Sequence, residues 1–200
     1  MARIRRPERS RHRRAAPCIR CILPAVISSA LQPLFARAQA ALERGYGAEA
    51  TQILQAALRS TGLSREDELA LRVLLAEAWL LQDDLTQASA SLGRPPDTLR
   101  DQNISGATLS NLWRLHGRVA HVRGDQSRAI ALHGRALRHA EAAHDLRAVG
   151  LAHFELARCY KVVGDTATMH DHFAEAVSAL HAVGDRRNLA QVHSLHGSAL

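Results

Sequence analysis

Cys18 and Cys21 form a Cys-x-x-Cys pair, the spacing at which two thiolates reach one zinc ion. A structural zinc site takes four ligands, and a chain with three cysteines in all has no second pair to supply them. His12 and the distant Cys159 are poor substitutes, and no βαβ context surrounds the pair to support redox exchange. The twelve histidines open a second route to metal or acid–base chemistry. His170 and His172 are two apart and diverge on a helix, whereas His193 and His196 are three apart and share a face. No Glu lies between them to complete a zinc site, so dispersed surface imidazoles are the simpler account. Their abundance predicts that stability or binding changes as the pH falls through about 6.5. A Gly-rich phosphate loop, a Gly-x-Ser-x-Gly elbow, a His-Glu-x-x-His helix and motif-like paired carboxylates are all missing. The expectation is a chain that is not an enzyme, with no catalytic residue, no metal and no cofactor.

Charge concentrates at one end. Residues 1–20 carry eight arginines against Glu8, a net of +7, while residues 21–200 balance at eighteen basic and eighteen acidic groups. An arginine-rich arm can hold nucleic acid or anionic lipid through counterion release; a disordered, solvated leader over residues 1–24 is the plainer reading. The apolar run that follows, Cys21 to Leu31, has some likeness to a secretory core, but Arg20 interrupts it and Pro24 breaks it. No stretch reaches the roughly eighteen uninterrupted apolar residues that a membrane helix needs. Three cysteines without a regular framework suit a reducing compartment, so the expected location is cytoplasmic, with no membrane contact.

These side chains must be carried by elements whose order is legible in a repeat. Ala38 and Ala50, Ala76 and Ala88, Gly117 and Ala129, and Ala157 and Met169 each pair a small residue with an apolar one twelve positions later. The leading members, continued by Gly197, are 38, 41, 40 and 40 residues apart, a period typical of stacked helical repeats. Gly124-Asp125 and Gly164-Asp165 stand between apolar-periodic stretches: the glycine takes the left-handed conformation that ends one helix, and the aspartate caps the next. His144-Asp145 and Gly184-Asp185 repeat that punctuation between units, and Ser64 with Glu66, Asp67 and Glu68 reads as another helix start. First helices are predicted at 31–44, 65–82, 106–123, 145–163 and 185–200, and second helices at 47–60, 84–92, 126–143 and 166–181. Gly117 and Ala129 are expected where the helices of the third unit cross. Apolar residues make up 46% of the chain and aromatic ones only 4%, so the interior must be built mainly from Ala, Leu and Val.

Trp113, Gly117, Gly124, Asp125, Ala129, Ala136 and Leu137 resemble the tetratricopeptide repeat pattern of an aromatic, a small residue, a turn and two spaced alanines. Leu156, Ala157, Tyr160, Gly164, Asp165, Phe173 and Ala176 repeat it in the next unit. The usual period is 34 residues, and the longer one here is similar to the long-helix variety in the solenoid regions of bacterial regulators. Met169 departs from the alanine of the pattern, and the second unit ends early at Gly93-Arg94-Pro95-Pro96. The resemblance implies an all-α, right-handed α-solenoid of antiparallel helix pairs over residues 25–200, about four and a half repeats. Its units lie near 31–60, 65–92, 106–143 and 145–181, with an incomplete one at 185–200.

The same resemblance implies a protein-interaction scaffold, the sensing or docking part of a larger bacterial regulatory protein, with a partner protein or peptide held in a concave groove lined by first helices. Carried onto this chain, the groove positions are Asn111, Arg114, Arg118 and His121, then Leu151, Phe154, Arg158 and Lys161. Arg114 and Arg118 share a helical face and Arg158 is equivalent to Arg118 one unit later, so the cations could converge on an acidic peptide or a terminal carboxylate. A solvated face is the plain alternative, with Glu155 and Asp171 placed to neutralise Arg158 and Lys161. Leu189, Val192 and Leu195 are expected to leave an apolar stripe poorly covered, as in a chain cut from a longer array or one that self-associates through residues 185–200. The other functions weighed are a nucleic-acid-associated protein using the arginine arm and a self-associating structural stack.

Overall fold

Residues with a positive φ stand just after one helix and before the next along the chain, and they set its punctuation. The computed structural model describes residues 27–98 and 104–197. Among these are nine α-helices and no strand: α1 Gln32–Glu43, α2 Gly47–Leu58, α3 Arg65–Leu80, α4 Leu85–Leu92, α5 Gly106–Val122, α6 Gln126–Ala142, α7 Leu146–Val163, α8 Thr166–Ala182 and α9 Arg186–Gly197. The boundaries fall within two residues of those expected, save that residues 198–200 lie outside the described residues, as do the arm at 1–24 and Cys18 and Cys21.

Five turns share one construction. Asp83, Gly124, His144, Gly164 and Gly184 take φ between 53° and 85°. The next residue is always an aspartate whose N–H returns to a carbonyl five residues back, at Trp79, Ala120, Ala140, Tyr160 and Leu180. That bond closes a Schellman-type end, satisfying a carbonyl the helix leaves orphaned. Each aspartate then accepts from a backbone N–H three residues on: Asp84 from Gln87, Asp125 from Arg128, Asp145 from Ala148, Asp165 from Thr168 and Asp185 from Asn188, at 2.8–3.1 Å. A cap of this kind is worth about 1 kcal/mol. Gly45 plays the left-handed part before α2, without an aspartate to follow.

The first turn of α3 also holds neighbouring segments. Glu66 is buried, and its carboxylate accepts from Ser105 N–H, Ser105 Oγ and Thr108 Oγ1 at 2.6–3.0 Å, tying the start of α5 to the start of α3. Asp67 accepts from Ser28 N–H at 2.9 Å, drawing in the chain ahead of α1. The acids that read as a dipole-favouring helix start therefore cap across helices too, except Glu68, which pairs with Arg65 and Arg72 on its own helix.

The apolar interior divides into four clusters in chain order, joining α1 to α3, α3 to α5, α5 to α7 and α7 to α9. Odd-numbered helices are shared between successive clusters, and α1 packs on α3, α3 on α5 and α5 on α7 in addition to each helix's contact with its neighbour in sequence. All eight residues of the four small-apolar pairs are buried. Gly117 is small for another reason than expected. A Cβ on it would lie 2.5 Å from the ring of His133, one turn past Ala129 on α6, so an imidazole rather than Ala129 occupies the space above it. On α9, Val192 is fully buried, and Leu189 and Leu195 pack with it against Phe154, Phe173 and Leu180. The stripe expected to lie uncovered faces α7 and α8, and the exposed side of α9 carries Arg187, Gln191, His193 and Ser194.

Gly117→Ala should lower unfolding free energy by about 1–3 kcal/mol through the collision with His133. Gly134→Ala on α6, where an added Cβ meets only the tip of Arg138 at 4.0 Å, should raise it by up to about 1 kcal/mol. Urea denaturation of both variants checks the pair of signs.

Candidate functional site

All five odd-numbered helices contribute to the wall of one cleft of about 310 Å³. The register explains why. Phe35, Val73, Arg114 and Phe154 occupy one repeat position, and Gln39, Glu77, Arg118 and Arg158 the position four residues on; all eight line the cleft. Residues four apart share a helical face, so the forty-residue period sets the same face of each odd helix toward a common space.

Of the groove residues expected from the sequence, Asn111, Arg114, Arg118, Leu151, Phe154 and Arg158 line this cleft, and His121 and Lys161 do not. His121, in the last turn of α5, places Nδ1 2.8 Å from Gln126 Oε1 and 3.5 Å from Cys159 Sγ. Lys161 donates from Nζ to the Leu195 carbonyl at 3.3 Å, which ties α7 to α9. His172 of the His170–His172 pair meets His153, with the two Nδ1 atoms 2.8 Å apart, and the side chain of His196 lies outside what is described. Among the described residues, no group of three or more His, Cys, Asp and Glu side chains stands arranged to hold a metal ion.

The arginines do converge, and they bring their counter-ions with them. Arg114 donates from Nη2 to Glu77 Oε1 at 3.0 Å and sits 3.3–3.4 Å from Asn111 Oδ1. Arg118 lies 3.8 Å from Glu77 and 3.4 Å from Glu155, and Arg158 donates to Glu155 at 2.8 Å. Arg114, Glu77, Arg118, Glu155 and Arg158, in that spatial order, thus form an unbroken run of alternating charge across α3, α5 and α7. Burial alone would raise the Glu155 carboxyl, but the adjacent Arg118 and Arg158 guanidinium groups outweigh it and hold the pKa at about 2. Glu77 is lowered in the same way: burial opposes, and Arg114 and Arg118 prevail. Both carboxylates stay ionised through the neutral range and are not proton donors there. Burial first and Glu155 second push the Cys159 thiol up to about 12, so it stays protonated in the neutral range.

Two residues at the cleft margin were not singled out from the sequence. Arg147, near the start of α7, donates from Nε to Asp185 at 2.7 Å, and Arg187 on α9 donates to the Leu42 carbonyl at the end of α1 at 3.4 Å. Continuing the repeat grid into the second unit would have found Glu77, which stands 41 residues before Arg118. Nothing in the local sequence marks Arg187, whose partner is 145 residues away.

Behind the ladder, His133 is fully buried with neither ring nitrogen hydrogen-bonded to any described residue. Burial, against a smaller opposing pull from Glu155, takes its pKa down to about 4; His116 falls to about 4 through burial and Arg128. The chain matches no protein-family model and no curated protein.

Both imidazoles are neutral in the folded chain and titrate near 6.5 once unfolded, so the unfolded state binds more protons as the pH falls from 6.5 to 4. Stability should be fully present above pH 6.5 and fall by about 3 kcal/mol at His133 alone on reaching pH 4, with Glu155 adding its loss only below about 4.5. Urea midpoints measured across that range should show the slope, and His133→Leu should reduce it to the part that His116 contributes. Glu155→Gln, which leaves Arg118 and Arg158 without their shared anion, should cost about 1–3 kcal/mol at neutral pH.

Proposed function

We propose that this chain is a non-enzymatic interaction scaffold that holds a segment of a partner protein or peptide in the cleft lined by its odd-numbered helices. The single observation that carries this reading is that α1, α3, α5, α7 and α9 all present the same repeat face to one space. The chain-ordered clusters, each sharing an odd helix with the next, further support a right-handed α-solenoid of antiparallel helix pairs, tetratricopeptide-like, with about four and a half repeats. In such an arrangement first helices form the inner wall.

The chemistry of that wall favours a partner segment of mixed character. Phe154 and Leu151 offer an apolar seat beside Asn111 and the edges of Arg118 and Arg158. An acidic group on the partner engages Arg158 in competition with Glu155, at a distance now of 2.8 Å, so charge selects register and partner more than it adds affinity. The setting that suits this reading is the sensing or docking portion of a bacterial cytoplasmic regulator. No helix among the described residues is long and apolar enough to cross a membrane. The net charge of +7 on residues 1–20 favours a second, separable activity, nucleic-acid binding by the arm.

A photo-crosslinking residue placed at Leu151 or Asn111 should yield a discrete adduct in extracts of the source cells, while the same residue at Glu49 on α2 or Arg138 on α6 yields none. Arg158→Glu should weaken the cleft adduct severalfold and reduce its salt sensitivity. Equal adducts from all four positions, or none from the cleft, would discard the scaffold reading. Deleting residues 1–20 should abolish salt-dependent DNA retention without altering the cleft adduct.

A further inference from the structure

Apart from the cleft, α7 and α8 bring two imidazoles together. His153 Nδ1 lies 2.8 Å from His172 Nδ1, with ring centroids 5.1 Å apart. Tyr160, two turns after His153 on α7, stacks on one face of His172 at 5.4 Å between centroids and 19° between planes, so the ring can turn only within its own plane. Two neutral imidazoles meeting in this way share one proton: one Nδ1 donates and the other aims its lone pair back along the same line. Burial lowers the pKa of both, and at His153 the neighbouring His172 lowers it further. Both are then neutral near pH 7, the state in which imidazole ligates a metal. Glu175 follows His172 by three residues on α8, is exposed, and favours positive charge at both rings.

We propose that His153, His172 and Glu175 form a site for a borderline divalent transition metal, Zn2+ foremost, with water completing the coordination. A zinc ion bound by both Nδ1 atoms at roughly 2.0–2.1 Å in tetrahedral geometry separates them by about 3.3 Å, so the pair opens by about 0.5 Å and each ring turns by roughly 35° to aim its lone pair at the ion. The donating imidazole moves its proton to Nε2, both rings remain neutral, and ligation by the pair releases no proton. The exposed Glu175 side chain swings in as the third protein ligand, since the three groups do not yet stand together at ligand distance. Two histidines and a carboxylate with an open fourth position suit zinc, and imidazole also takes nickel and copper. The bound ion pins α7 to α8. From sequence the site is concealed because its histidines are 19 residues apart on successive helices.

The test uses the full chain carrying Cys18→Ser and Cys21→Ser, which removes the other plausible zinc ligands. Calorimetric titration with Zn2+ near neutral pH should show one saturable site per chain, and the melting temperature should climb with zinc concentration. His153→Gln and His172→Gln should each weaken binding about tenfold or more, Glu175→Gln severalfold, and His193→Gln, on the exposed side of α9, not at all. Co2+ in place of Zn2+ should give visible d–d absorption and shift the ring-proton resonances of His153 and His172 in the unmutated site, a readout independent of how any variant folds. No saturable site, cobalt shifts elsewhere than at these two rings, or undiminished affinity in the doubly substituted His153→Gln, His172→Gln chain would overturn the proposal.

Discussion

A residue in the left-handed region followed at once by an aspartate is the constraint on which the remaining structure rests. Five times the chain ends one helix and starts the next across two to four residues, through the same backbone bond and the same carboxylate cap. So short a turn leaves the entering and leaving helices little freedom, and its regular recurrence is what keeps the small residues, the cleft positions and the clusters in phase. Where the pattern weakens, the elements shorten: α1 and α2 have 12 residues each and α4 only 8, whereas α5 to α8 have 17 or 18.

The charges facing the cleft follow from that phase. One repeat position carries Glu77, Arg118 and Arg158 in successive units, so Glu77 meets Arg118 between helices, and Glu155, from another position on α7, stands between the two arginines. Removing Arg114 and Glu155 from water would be costly for either alone; shared between neighbours, each charge offsets the desolvation of the next. The arrangement ties three helices into one wall, and under the proposed scaffold reading any incoming group would have to match a pattern already satisfied.

Local signals carried most of the fold. Gly124-Asp125, Gly164-Asp165 and their counterparts are short-range chemistry, and helix ends set by such chemistry can be read from a few residues. Asp83 was harder to see because an aspartate with φ of 56° does there what glycine does elsewhere. Pairings between elements were mostly hidden. That His121 turns toward Cys159, that His133 rather than Ala129 fills the space above Gly117, and that Glu66 caps α5 from α3 all depend on rotamers and on distances between helices, which spacing along a chain does not encode. The expected arginine face was legible as a face; its neutralisation was legible only at Glu155, where the partner lies three residues from Arg158 on the same helix.

The bond from Arg187 to the Leu42 carbonyl has a mechanical consequence. It spans 145 residues, whereas each of the four apolar clusters joins helices close in sequence, and it is a single hydrogen bond of 3.4 Å. Such a bond is worth about 1–3 kcal/mol, far less than the apolar packing that joins successive helices. None of the four clusters joins α1 to α9, so loss of this bond would open the seam between those two helices while leaving the packing of every cluster in place.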